Sequence, residues 1–191
     1  MELNEQITTS ITNVDSFFRD CSHLLSSIRE DLELNHNTTH FGDNTVHQDS
    51  STSLQFPEKW MPYDLYQVVK IKETGNYIVI SIPLRDNKNN FRPFDKIELL
   101  IGLFQNVAHI HELHWYGRGF LLDEWSKVNR EKINDNLTRI DPQKGESASA
   151  DGGDPKFSDG VIYHEGIFQW SGNISEKLKE AMETIVGNMS R

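Results

Sequence analysis

The sequence predicts an α+β fold in which a long N-terminal heptad helix is tethered to a small body with an antiparallel sheet and about three helices. Three observations carry that reading. Apolar residues recur at alternating spacings of 4 and 3 through the N-terminal segment, period-two and short apolar runs take over after Tyr63, and a polar, turn-rich stretch at 35–57 separates the two.

The helix comes first. Ile7, Ile11, Val14, Phe18, Cys21, Leu25, Ile28 and Leu32 form an unbroken a/d pattern over more than three heptads, with Phe18 and Leu25 at a positions. No Gly or Pro interrupts 3–34, Asn4 is placed to cap the start, and the Asn-rich residues that follow end the helix. Phe17 and Leu24 at g widen the stripe beyond a two-stranded seam, enough to cover a bundle or a partner surface. Packing on the chain's own body would use the same stripe. The long polar connector favours a helix that docks separately, either on another copy or on a partner helix.

In the body, 65–71 and 77–84 flank the turn Glu73-Thr74-Gly75-Asn76 and read as an antiparallel hairpin, with Pro83 closing the second run. Ile97, Leu100, Ile101, Phe104 and Val107 fit helical spacing with Asp95 as cap, although the run ELLIGLF also suits a buried strand, and helix is the preferred reading. A second body helix is expected over 120–137, from Leu121, Leu122, Trp125, Val128 and Leu137 behind Asp123 and Glu124. Strand composition at 160–170 is interrupted by Gly166. Asn173 with Glu176 then reads as a capped start to a helix carrying Ile174, Leu178, Met182 and Ile185. The domains expected are a helix at 1–34, a flexible linker at 35–57, and an α+β unit at 58–191 with a mobile loop at 141–160.

With 29 acidic and 19 basic residues the 191-residue chain carries a net charge of −10. The acid sits in the N-terminal helix and the two polar stretches, which leaves the rest neutral, so mimicry of DNA by the body is not expected. No apolar run is long enough for a membrane span, and the N-terminus has neither a basic nor an apolar leader region. Cys21 is the sole cysteine, so neither an intrachain disulfide nor a cysteine-based zinc site can form. A cytoplasmic chain with no membrane association and no cofactor is the expectation.

Three constellations could carry chemistry. His109, His111 and His114 stand close together around Glu112. On a strand His-x-His points both rings to one face and could hold a metal, with Glu112 activating its water and His164 as a distant ligand. A helix would separate His109 from His111, and with 97–107 read as helical no metal is expected. Arg118 between Gly117 and Gly119, ahead of a helix start, is the best anion contact. Arg85, Lys88, Arg92 and Lys96 interleave with Phe91 and Phe94 in the manner of single-strand nucleic-acid binders, but Asp86 and Asp95 dilute their charge and the phenylalanines serve equally as loop anchors, so nucleic acid is not expected.

The function expected is therefore non-enzymatic: an interaction or assembly protein that oligomerises, or docks on a partner helix, through Ile7, Ile11, Val14, Phe18, Cys21, Leu25, Ile28 and Leu32. Two alternatives belong to other classes. One is a metal-dependent hydrolase built on His109, His111 and His114, and the other is an acidic inhibitor or immunity-type protein that blocks a basic partner.

Overall fold

A computed structural model describes residues 3–41, 47–48, 64–84, 96–107, 129–141 and 157–189. Helix α1 (Leu3–Asn35) runs for 33 residues. With neither Gly nor Pro inside it, nothing interrupts its backbone ladder; Ser10 and Thr12 donate to the carbonyls of Gln6 and Thr8, and Asp15 pairs with Arg19 at 2.7 Å. Short strands β1 (Thr38–His40) and β2 (His47–Gln48) follow, then β3 (Asp64–Ile71), β4 (Tyr77–Pro83), β5 (Glu98–Gln105), β6 (Asn129–Asn134), β7 (Leu137–Asp141) and β8 (Asp159–Gly166). A 3-10 turn (Ile167–Trp170) leads into α2 (Ile174–Gly187), whose first turn is capped by the Asn173 side chain accepting the Glu176 N–H.

All eight strands join one antiparallel sheet in the order β1-β3-β4-β5-β8-β7-β6, with β2 sharing the outer edge of β3. The β3–β4 turn owes its shape to Glu73 at φ 61°, while Thr74 Oγ1 bonds both the Ile71 carbonyl and the Asn76 N–H. Its tip is clamped to the end of β5, where Val107 N–H donates to the Gly75 carbonyl and Asn106 N–H to Asn76 Oδ1.

Both faces of the sheet's central strands are buried. On one, Cys21, Leu25, Ile28 and Leu32 of α1 and Leu178, Ala181, Met182 and Ile185 of α2 lie over Val69, Ile78, Ile80, Ile82, Leu99, Ile101 and Leu103. On the other, Phe104 packs with Val79, Leu100, Ile162 and, edge to face, Phe157. Gln67 breaks the rule on the helix side: opposite Ile80 and fully buried, neither atom of its amide has a hydrogen-bond partner. An orphaned buried amide costs about 1–3 kcal/mol. Gln67→Met, close in volume and without the polar atoms, should therefore raise the urea midpoint by the equivalent of about 1–2 kcal/mol. An unchanged or lowered midpoint would mean that the amide is satisfied after all.

The α+β class stands, with two helices among the described residues rather than about three in the body plus one. Residues 98–105 are strand β5, not a helix: the run is continuously apolar because both faces of a central strand are covered, and continuity of that kind imitates a helix over a short window. The helix expected over 120–137 is contradicted where it can be seen, since 129–134 and 137–141 form the β6–β7 hairpin. Helix α1 already includes Leu3, so Asn4, the expected cap, lies within the helix and not ahead of it. The expected linker contributes two strands to β3, and α1 shares the core of the body it was expected to be tethered to. The remaining parts of the 35–57 and 141–160 stretches, at 42–46, 49–57 and 142–156, lie outside the described residues.

Candidate interaction surface

Helix α1 divides its own stripe. Cys21, Leu25, Ile28 and Leu32 are buried against the sheet, so these four members of the expected interface belong to the chain's own core. Half a helix away the same stripe is uncovered: Leu3 is 70% exposed, Ile7 50%, Ile11 65% and Val14 47%, with Phe18 half-buried at the junction. A stripe continuous along one helix face, dry at one end and wet at the other, marks where the sheet stops and the helix continues. The free part, 3–18, is about 24 Å long at 1.5 Å per residue.

Beside the junction lies an apolar groove of about 450 Å³ between α1 and the 3-10 turn, lined among others by Phe17, Cys21, Leu24, Ile167, Phe168 and Trp170. Its rim carries Phe168, the most exposed large aromatic of the described residues at 82%. Its wall is braced. Trp170 meets Tyr163 edge to face at 6.4 Å, and Lys177 of α2 holds both Glu165 carboxylate oxygens at 2.9 and 3.1 Å. Burial, and then the charge of Glu165, push the Tyr163 hydroxyl up to about 12, so it stays protonated. The buried indole N–H of Trp170 has no acceptor. Burial first, and Asp20 second, raise the Cys21 thiol to about 11, which makes it a neutral apolar wall atom and a poor nucleophile. Sequence reasoning named Cys21 and the widening residues Phe17 and Leu24 but missed Ile167, Phe168 and Trp170. The clue was the aromatic pair beyond Gly166, too long an apolar tail for the strand that precedes it.

The other candidates come out less well. His164 Nδ1–H donates to Glu98 Oε2 at 3.2 Å, and Lys96 bonds the other oxygen at 2.7 Å; with Lys96 the sole described member of the basic cluster, its charge is answered within β5. Arg139 grips Asp159 with two hydrogen bonds, 3.0 and 3.2 Å long, across β7 and β8. His109, His111, His114 and Arg118, with Arg85, Lys88, Phe91, Arg92 and Phe94, fall outside the described residues. The helical geometry that argued against metal at the histidines has lost its premise, because the run leading to them is a strand. Among the described residues no group of three or more His, Cys, Asp or Glu could hold a metal ion, and no helix is long and apolar enough to cross a membrane.

Comparison with protein-family models, with curated proteins and with solved structures found no match to this chain.

Proposed function

We propose that this chain is a non-enzymatic interaction protein that assembles by laying the uncovered half of α1 against an apolar helix, its own or a partner's. The observation that carries this reading is the division of one heptad stripe into a buried half and an exposed half. An isolated helix of sixteen or so residues is marginal in water because its nucleus is costly. Here the nucleus is supplied by Cys21–Leu32 in the core, so residues 3–18 extend an existing helix and can bind without first being ordered. The stripe offers little else to do: its exposed members are aliphatic, without nucleophile, acid or base.

The test is Ile11→Asp with Val14→Asp. Both positions are exposed, so circular dichroism, and the urea midpoint at concentrations where the parent is monomeric, should stay within about 0.5 kcal/mol of the parent. The size of the assembly, measured for the pure chain by light scattering and for the chain in extract of its own cells by sedimentation, should fall to that of a monomer. A double variant that runs at the parent's size in both settings would sink the reading.

A further inference from the structure

We infer that the occupant of the exposed stripe is a second copy of this chain, arranged antiparallel so that each copy's N-terminal turn reaches the mouth of the other's groove. This rests on the docking role proposed above and names the partner.

Area is the first argument. The exposed fractions of Leu3, Ile7, Ile11, Val14 and Phe168 amount to roughly 600 Å² of apolar surface per copy, hence roughly 1,200 Å² in a two-fold pair, the lower bound for a specific interface. A partner covering the helix alone would leave Phe168 and the groove wet.

Register is the second. Antiparallel heptads pair an a residue with a d residue, so Ile11 of one copy meets Val14 of the other, and Ile7 meets Phe18. That register consumes the stripe exposed on each chain and stops where α1 enters its own core. On the flank, g positions face g positions, which brings Leu3 beside Leu24 of the second copy at the groove, and Ser10 beside Phe17. The opposite flank sets Thr8 by Asp15, with no like charges opposed. A parallel pair would turn Leu3 away from the groove.

The groove is the third. Its wall is held by the edge-to-face contact of Trp170 with Tyr163 beside the Lys177–Glu165 ion pair, and Phe168 stands exposed on its rim. The Leu3 side chain of the second copy, set beside Leu24, covers the apolar part of a lining that also carries Asp20, His23, Ser27 and Ser171.

Cysteine pairs test this in a Cys21→Ala background. Chains bearing Ile11→Cys and Val14→Cys, mixed under oxidised glutathione, should form the mixed disulfide at least tenfold faster than either forms its own, because only that pair approaches bridging distance. Self-disulfides that outpace the mixed one would establish a parallel pair and overturn the arrangement. Leu3→Asp and Phe168→Asp, both on exposed positions, should each weaken the dimer at least fivefold; dimerisation unmoved by both would remove the groove from the interface. A pure parent chain that is monomeric at tens of micromolar, while Ile11→Asp with Val14→Asp still dissolves a complex in extract, would sink the second copy and leave the docking role standing.

Discussion

Leu25→Ala is expected to lower the unfolding free energy by about 3 kcal/mol, and Ile11→Ala, two heptads earlier on the same stripe, by less than about 0.5 kcal/mol at concentrations where the chain is monomeric. The two residues are alike in type and in heptad position, and differ only in what lies opposite. Leu25 is fully buried over the sheet, so truncation loses the transfer of three carbons and opens a cavity that β3 and β4 are too rigid to fill. Ile11 faces water and loses nothing by truncation until another helix covers it. Urea unfolding of the two variants at low micromolar concentration makes the comparison. Equal and small effects would restore a helix tethered apart from the body; equal and large effects would mean that the first half of α1 is also packed on its own chain. At higher concentration Ile11→Ala should become costly in turn, since association protects the folded state by mass action.

Local signals carried the ends of the chain and its hairpin. The heptad stripe of α1, the Asn173 cap of α2 and the turn between β3 and β4 each depend on residues within one turn or one heptad of each other, and each formed as the pattern implied. What failed was decided at long range. Whether 98–105 is helix or strand turns on whether both its faces are covered, and the covering residues come from α1, α2 and β8. The β6–β7 hairpin carries Arg130, Glu131, Lys132 and Arg139 in a sheet whose outer edge it forms, so it has too few apolar residues to show a period of two. The division of the stripe was invisible for the same reason: periodicity reports which face of a helix is apolar, and says nothing of how far along the helix the sheet extends. The groove needs Phe17 and Phe168 to meet across some 150 positions of sequence, a distance at which no spacing argument applies.

On the far face of the sheet, Gly102→Ala is expected to destabilise the chain by about 2–3 kcal/mol, against the usual gain of about 0.5–1 kcal/mol from replacing a strand glycine. A Cβ at Gly102 would stand 2.6 Å from Phe104 Cε2 and one at Gly160 would stand 2.9 Å from Phe104 Cδ1, so the Phe104 ring lies down across two glycines, one on its own strand and one opposite it on β8. The ring cannot lift away. It is wholly buried and meets Phe157 edge to face at 5.1 Å, with Val79, Leu100 and Ile162 in the same cluster. The added methyl must therefore push the ring off its rotamer or part β5 from β8, and either costs more than the backbone entropy it saves. Phe104→Leu in the same chain isolates the cause: the smaller side chain loses packing by itself but makes room for the methyl, so the double variant should be more stable than the sum of the two single losses by at least about 1 kcal/mol. Strict additivity, or a Gly102→Ala chain as stable as the parent in urea, would show that the ring is free to move and that the glycines are not there to seat it.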